Sequence, residues 1–286
     1  MPTPRSRVHL ALCSLLPALA AAAGGALGID IGGANSVVAS ARRGGIDVLT
    51  NEASMRQTPS LVAFSEQQRL LGQSATTEQS RSPENSIAGV KRFVGLCLAA
   101  AVALQRPPAA NIVAADSDRE PPLFEVQLGG VTRRFSALQI LAMLMHQLHR
   151  TAQRELHTAA FEGVAIAVPM HFTAERRRAV LDAAEVAGLP GVRLISDGAA
   201  VALDYALGRA ELPPDTNHNV AFVDAGNDGV QVCIVRFRRG SLQLLAHDYA
   251  ENAGGAVREH TAPTLPAPSS CLACSPYPIA PLAMRR

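Results

Sequence analysis

Two distant segments of the chain share one arrangement: an apolar run, an aspartate, a glycine turn and a second apolar run. In the first segment, GIDIGGANSVVAS, the polar and small residues are Asp30, Gly32, Gly33, Ala34 and Asn35. In the second segment, FVDAGNDGVQVCIV, they are Asp224, Gly226, Asn227 and Gly229. Each apolar run predicts a strand, so each aspartate falls at a strand end beside a tight turn.

This pattern suits phosphate chemistry that depends on a metal ion. A glycine turn lets backbone N–H groups approach an anion closely. A carboxylate alone would repel phosphate, but Asp30 and Asp224 could hold a hydrated Mg²⁺ that bridges to phosphate oxygens. Two such turns facing each other would clamp a polyphosphate, which predicts a nucleotide phosphotransferase or hydrolase. The alternative is a pair of ordinary turn aspartates, and no Walker-type G-x-x-x-x-G-K-[ST] motif is present.

The elements that would position these turns alternate between strands and helices, which indicates an α/β fold. Strands are predicted at 26–31, 36–41, 46–50, 60–64, 124–128, 131–135, 163–168, 192–196, 220–223, 230–236 and 242–247. Helices are predicted from Ser136 to about His157, from Thr173 to Ala187 and from Gly198 to Leu207. Residues 82–95 have helical character, and 99–122 are typical of a loop or an irregular helix.

Composition excludes several classes of function. Charged residues make up 17% of the chain and the formal net charge is only +2, without a clustered basic stripe, so nucleic-acid binding is not expected. The spacing of His146, His149 and His157 favours packed or solvated side chains over a metal site. The pair Cys271 and Cys274 lacks a second ligand pair, so a zinc site is not expected there.

The two ends of the chain differ from its centre. Arg5 and Arg7 precede a short apolar, alanine-rich run, a pattern typical of a secretory signal peptide. An alanine-rich extension or an organelle transit peptide is the alternative. Residues 261–286 are rich in Pro, Ser and Ala without periodicity, and we expect disorder there. After leader removal, no segment is long and apolar enough to insert into a membrane.

Several segments together resemble the 70-kDa heat-shock chaperone family, the DnaK-like proteins. They are GIDIGGANS, NEASMRQTPSLVAF, AGVKRFVG, VAIAVPMHFTAERRRAVLDAAEVAGL, RLISDGAAVALDYALG and NVAFVDAG. The resemblance is nearly continuous from Gly28 to Gly255. It leans toward the large 110/170-kDa branch of the family, in which the second loop also lacks its glycine triplet and a glutamine stands at the position of Gln231.

The resemblance implies a fold, cofactors and site residues. The fold is the actin-like ATPase (ribonuclease-H-like) α/β fold, here the first lobe plus part of the second. The implied domains are a signal peptide at 1–23, a first lobe at 24–209, the start of a second lobe at 210–260 and a tail at 261–286. The implied cofactors are ATP or ADP with Mg²⁺. The implied catalytic residues are Lys91, Asp197 and Asp224, with Gly254 and Gly255 as a further glycine turn near the nucleotide.

The resemblance also implies a function, which the departures from the family pattern qualify. The implied activity is ATP binding and hydrolysis coupled to folding of unfolded or nascent proteins, together with other chaperones. Gly33, Ala34 and Gly229 stand where the family has hydroxyl residues, and the resemblance ends near His260. We therefore expect a truncated domain with weak hydrolysis. The alternatives are a non-enzymatic fragment that binds another chaperone, or a sugar or glycerol kinase of the same fold. The leader favours the endoplasmic reticulum lumen, with cytoplasm, plastid or mitochondrion as alternatives.

Overall fold

The computed structural model describes residues 25–42, 45–104, 109–115, 121–158, 160–208, 217–238, 241–251 and 253–258. The leader and the tail predicted from the sequence lie outside these residues. The strands are β1 Ala26–Ile31, β2 Asn35–Arg42, β3 Gly45–Val48, β4 Thr58–Pro59, β5 Leu61–Phe64, β6 Arg69–Leu71, β7 Ser86–Ala88, β8 Asn111–Val113, β9 Leu123–Leu128, β10 Val131–Ser136, β11 Gly163–Val168, β12 Val192–Ser196, β13 His218–Ala225, β14 Gly229–Arg238 and β15 Ser241–Glu251. The helices are α1 Thr76–Arg81, α2 Leu98–Leu104, α3 Ala137–Glu155, α4 Ala174–Val186, α5 Asp197–Leu207 and α6 Gly255–Arg258, with 3₁₀ helices at Gly72–Ala75, Pro83–Asn85 and Val90–Phe93.

A central six-stranded sheet contains both parallel and antiparallel pairs. Its order is β12-β11-β1-β2-β3, and β4 pairs with the start of β2. Strands β12, β11 and β1 run parallel, whereas β1, β2 and β3 form an antiparallel meander. The strand predicted at 163–168 is β11, and it pairs in parallel with a neighbour on each side. The carboxyl ends of three strands therefore lie at one edge of the sheet.

Three smaller antiparallel sheets complete the described architecture. They have the orders β6-β5-β7, β10-β9-β8 and β13-β14-β15. The last of these carries the second predicted aspartate turn between β13 and β14, in a hairpin whose strands pair from His218 with Phe237 to Ala225 with Val230. Both aspartate turns therefore connect antiparallel strands, as their flanking apolar runs predicted.

The larger hydrophobic core contains the buried side of α3 and residues of β1 and β11. On α3, the most enclosed side chains are Ile140, Leu141, Leu144, Met145 and Leu148, at the spacing of one helix face. The helix begins at a capping box in which the Ser136 hydroxyl accepts from the Gln139 backbone N–H and the Gln139 side chain accepts from the Ser136 N–H.

A second, smaller core lies between α5 and the β13-β14-β15 sheet. It contains Ala202 from the helix and Cys233, Val235 and Phe237 from β14. Tyr205 packs beside them, with its ring centroid 5.2 Å from that of Phe237. Helix α5 directly follows a central-sheet strand but buries its apolar side against the third sheet. It thereby joins the two halves of the candidate site.

Two segments differ in part from their predictions. The helical character predicted for residues 82–95 is present only as two 3₁₀ helices, with strand β7 between them. The left-handed Gly89, with φ of 58°, and Gly95, with φ of 73°, interrupt regular helix geometry there. Residues 99–122, predicted as a loop or an irregular helix, include most of the short helix α2 and also strand β8, which pairs with β9. The helices α3, α4 and α5 match their predictions to within one or two residues.

In the described part of the chain, no helix has both the length and the apolar character needed to cross a bilayer.

Candidate functional site

Strand direction brings three residues to one edge of the central sheet. Asp30 lies near the end of β1 and pairs in register with Ala167 of β11. Pro169 follows the end of β11, and Asp197 follows the end of β12. Parallel strands in an α/β sheet present their carboxyl ends at the same edge, where ligands commonly bind. The three residues come from positions far apart in sequence but face one cleft.

The first glycine turn is tight at Gly32. The Gly32 N–H donates to the Asn35 carbonyl over 3.0 Å and closes the β1–β2 hairpin. A β-carbon at position 32 would lie 2.5 Å from that carbonyl oxygen, closer than real contacts allow. Glycine is therefore required by the backbone itself, independently of any ligand.

The second turn has the same closure and an additional support. The Gly226 N–H donates to the Gly229 carbonyl over 3.0 Å. Behind it, the N–H of Gly255 donates to the Gly226 carbonyl over 3.0 Å. A β-carbon on Gly254 would lie 2.5 Å from the Gly229 nitrogen. The structure thus places Gly254 and Gly255 directly against the second turn, as a brace for its backbone.

One cleft of about 500 Å³ lies between the two turns. Its lining includes every predicted site residue except Gly254 and Gly255: Asp30, Gly32, Gly33, Ala34, Asn35, Lys91, Asp197, Asp224, Gly226, Asn227 and Gly229. The sequence could not show that the turns face each other. The structure brings them together.

Lys91 is the only lysine in the sequence. It lies on the 3₁₀ helix Val90–Phe93, and its ammonium nitrogen is 3.8 Å from Oδ1 of Asp30. Its side chain is only 11% exposed, although the carboxylate of Asp30 is 61% exposed toward the cleft. The ammonium group is therefore held inside the cleft wall, near the end of the first strand.

Asp30 lies in a negative field. Although the side chain is open to the cleft, the surrounding protein partly desolvates the carboxylate, and this is the main reason why its pKa is raised. Asp197 and Asp224 raise the pKa further by repulsion, whereas the Lys91 ammonium opposes the change. Three carboxylates against one ammonium leave an excess of negative charge, which a cation would relieve.

Gln231 connects two of these carboxylates. Its side-chain N–H₂ donates to Oδ2 of Asp224 over 2.7 Å and to Oδ2 of Asp197 over 3.0 Å. The other oxygen of Asp197 and the amide oxygen of Gln231 are buried and have no hydrogen-bond partner. These two acceptors suit a ligand that brings donors or positive charge.

The donor set fits a hydrated Mg²⁺ better than a fully protein-coordinated ion. Among the described residues, no group of three or more His, Cys, Asp or Glu side chains is arranged to hold a metal. Mg²⁺ commonly keeps several waters and takes one or two carboxylates plus phosphate oxygens. Asp30 and Asp224, the predicted metal residues, would then act on such an ion from opposite turns.

The space at two of the three positions that lack a hydroxyl residue is crowded. A β-carbon at Gly33 would overlap the carboxylate of Asp228. A β-carbon at Gly229 would lie 2.7 Å from both the Tyr249 hydroxyl and the Ala250 carbonyl oxygen. A side chain at either position would therefore require its neighbours to move.

Sequence reasoning missed Arg92, Asp228, Tyr249 and His171. Asp228 of the second turn pairs with Arg92 on the 3₁₀ helix Val90–Phe93, and Tyr249 lines the cleft from β15. Asp228 was visible as an additional acid inside the second turn, and Arg92 as the neighbour of Lys91. No sequence signal indicated Tyr249, because only the β14–β15 pairing brings it to the cleft.

His171, which follows β11, contacts Tyr249 of β15. Its ring stacks on Tyr249 with centroids 3.6 Å apart. Burial, followed by the positive charges of Arg176, Lys91 and Arg177 and a smaller effect of His247, lowers the pKa of His171 to about 4. The histidine therefore stays neutral in the folded protein over a range in which it is protonated in the unfolded chain.

We expect His171 to reduce stability as the pH falls from about 6.5 to about 4. In that window the unfolded chain gains a proton and the folded chain does not, so acid favours unfolding. Relative to His171→Phe, which keeps a stacked ring, wild type should lose about 1 to 2 kcal/mol more between pH 7 and pH 5. Urea unfolding at both pH values measures this difference. Equal losses in the two proteins would contradict the assignment.

Comparison with known proteins agrees with the fold. The family model described as Hsp70 protein matches residues 26–261. Heat shock 70 kDa protein 14 of Arabidopsis thaliana is 36% identical over 229 residues, which are 80% of this chain and 27% of that protein. Heat shock protein hsp88 of Neurospora crassa is 37% identical over 231 residues, or 80% of this chain and 32% of that protein. Heat shock 70 kDa protein 16 of Arabidopsis thaliana is 34% identical over 237 residues, or 80% and 30%.

The mixed α/β architecture with facing glycine turns is an actin-like ATPase fold. The chain belongs to the Hsp70 family, in the nucleotide-binding domain, with relatives from the large Hsp110 branch. These results confirm the fold and the family predicted from the sequence. The chain spans about a third or less of the length of these relatives, between 27% and 32%.

Proposed function

We propose that this chain binds ATP or ADP together with Mg²⁺ in the cleft between the two glycine turns. One observation carries the proposal: the turns of the β1–β2 and β13–β14 hairpins, four aspartates and a lysine line the same cavity. Backbone N–H groups at glycine turns suit phosphate oxygens, and the carboxylates suit the cation that accompanies them. The family supports the same ligand.

Each group of residues in the cleft would have a separate role. The glycine turns would hold the phosphates, and Asp30 and Asp224 would position the hydrated cation from opposite sides. Bound Mg²⁺ would supply neutralisation of phosphate charge. Lys91, held 3.8 Å from Asp30, would place an ammonium near the terminal phosphate and orient the attacking water. Asp197 would accept a hydrogen bond from a second water molecule, because one of its carboxylate oxygens is buried and has no hydrogen-bond partner.

We expect nucleotide binding to be accompanied by slow hydrolysis. No hydroxyl side chain is present at positions 33, 34 and 229, and each lost transition-state donor can cost about a hundredfold or more in rate. The crowding at Gly33 and Gly229 means that these donors cannot simply be restored. Fast phosphate release by the purified protein, abolished in Lys91→Ala, would contradict the expectation.

Calorimetric titration tests the binding itself. ATP should bind in the presence of Mg²⁺ and at least about tenfold more weakly in excess EDTA, a difference of roughly 1.4 kcal/mol. Glucose and glycerol serve as comparison ligands, because a kinase of the same fold would bind its sugar or polyol. Absence of ATP binding under both conditions would reject the proposal.

The wider role follows from the family. Action on unfolded or nascent proteins, together with other chaperones, is the proposed context of the nucleotide site. We propose lobes at 24–209 and 210–260, with α5 of the first lobe packed against the β13-β14-β15 sheet of the second. For localisation we propose the endoplasmic reticulum lumen on the basis of Arg5, Arg7 and the apolar run after them. A mature protein that still begins at Met1 would reject this compartment.

A further inference from the structure

We propose that the carboxylate of Asp228 is a built-in competitor of phosphate, held between the two glycine turns where the anionic ligand must enter. The inference rests on the proposed function, since it concerns the same cleft. It assigns a role to a residue whose charge opposes the expected ligand. Asp228 would thereby set how tightly the site holds phosphate.

The contacts of Asp228 come from three different segments. Its Oδ1 lies 3.5 Å from Nη1 of Arg92 and accepts from the side-chain N–H₂ of Asn227 over 3.0 Å. Its Oδ2 lies 3.7 Å from the position that a β-carbon on Gly89 would take. The Arg92 and Asp228 side chains are only 15% and 23% exposed. The carboxylate is therefore confined in the cleft wall between the first turn, the second turn and the 3₁₀ helix that carries Lys91.

The first turn has a matching gap. Gly33 lies against the Asp228 carboxylate, and any β-carbon at Gly33 would overlap it. The Gly33 carbonyl oxygen in turn lies 3.0 Å from the β-carbon position of Gly89, whose φ is 58°. The absence of side chains at 33 and 89 makes the room that Asp228 occupies. The acid at 228 and the glycine at 33 therefore depend on each other.

Charge determines the consequence. A guanidinium and backbone N–H groups suit either a carboxylate or a phosphate oxygen. Arg92 already has the Asp228 carboxylate as one of its partners, and a phosphate entering beside that carboxylate meets a like charge in a partly desolvated cleft. The ligand must displace Asp228 from Arg92 or bind against its repulsion. Removal of that one negative charge should strengthen binding of any polyphosphate.

The test compares Asp228→Asn with wild type and with Asp47→Asn, which removes an exposed acid from β3 outside the cleft lining. The probes are inorganic tripolyphosphate and ATP, and each is titrated into the protein in the presence of Mg²⁺ at fixed ionic strength. We expect Asp228→Asn to lower the Kd for tripolyphosphate about fivefold or more, and Asp47→Asn to change it by less than about twofold. Asp228→Ser, which also removes the charge, should behave like Asp228→Asn.

A double-variant experiment tests whether the side chains at positions 33 and 228 compete for the same space. Gly33→Ser should lower the melting temperature in the wild-type background, and Asp228→Gly should restore most of that loss in the double variant. Additive effects would overturn the proposed packing. Unchanged tripolyphosphate affinity in Asp228→Asn, or an equal gain in Asp47→Asn, would overturn the competitor role.

The two probes separate this inference from the proposed function. Tighter tripolyphosphate binding in Asp228→Asn, without ATP binding by any variant, supports the competitor role and rejects nucleotide binding. ATP binding by wild type, with neither probe bound more tightly by Asp228→Asn, supports nucleotide binding and rejects the competitor role.

Discussion

Gly32→Ala is expected to weaken Mg²⁺–ATP binding by about a hundredfold or more, equivalent to roughly 2.7 kcal/mol. The added β-carbon would lie 2.5 Å from the Asn35 carbonyl oxygen, which accepts the hydrogen bond that closes the first turn. The turn must open to accommodate it, and the backbone N–H groups that would face phosphate move with it. Calorimetric titration of the purified variant measures the loss.

Gly28→Ala is the matched control for this prediction. It makes the same substitution in the strand that leads into the turn, but its β-carbon would lie 3.8 Å from the Ala39 carbonyl oxygen, an ordinary contact distance. ATP affinity should stay within about threefold of wild type, or roughly 0.65 kcal/mol. An equal loss of ATP affinity in the two variants would contradict the prediction, because the effect would then not depend on the geometry of the turn at Gly32.

Arg176→Met should destabilise the protein by about 3 kcal/mol, since two carbonyl groups lose a charged donor. The Arg176 side chain donates to the carbonyls of Val94 and Arg92 over 3.1 and 2.6 Å. Its guanidinium also lies 3.9 Å from the ring centroid of Phe172. This arginine fixes the segment that carries Lys91, so ATP binding should weaken together with stability. Urea unfolding and titration on the same preparation measure the two effects.

Arg178→Met controls for loss of a positive charge from the same helix. The Arg178 side chain is 72% exposed and pairs at the surface with Asp182, four residues further along α4. Exposed pairs of this kind contribute about 0.5 kcal/mol. If Arg176→Met is no more destabilising than Arg178→Met, the hydrogen bonds to residues 92 and 94 contribute little to the free energy of unfolding, which would contradict the prediction.

Strand-and-turn patterns made the two aspartate turns predictable. The need for glycine in such a turn arises from contacts with residues close in sequence, as between Gly32 and Asn35, so a short sequence pattern is enough to predict it. Strands β1, β11 and β12 pair in parallel, so their carboxyl ends, with Asp30 and Asp197, lie at one edge of the sheet. The helical character predicted for 82–95 is limited to two short 3₁₀ helices, and the left-handed Gly89 directly precedes the second of them.

The remaining parts of the site depend on contacts between segments that are far apart in the sequence. Arg176 reaches carbonyls more than eighty positions earlier, and in the sequence it is one of three consecutive arginines on an ordinary helix. Tyr249 reaches the cleft only through the register of β14 with β15. In the sequence Asp228 resembles any other turn acid, and only its distance to Arg92 distinguishes it. Periodicity and local turn chemistry contain no information about such contacts.

The most direct test of the nucleotide site uses Lys91, the single lysine of the chain. Its ammonium group lies in the cleft wall, so an amine-reactive reagent followed by peptide mass spectrometry reports on this one site, with the N-terminal amine as an internal reference. We predict that saturating Mg²⁺–ATP slows modification of Lys91 at least about tenfold without changing the N-terminal rate, as expected for occupancy of nearly all molecules. Modification of Lys91 at the same rate with and without Mg²⁺–ATP would contradict nucleotide binding between the two turns.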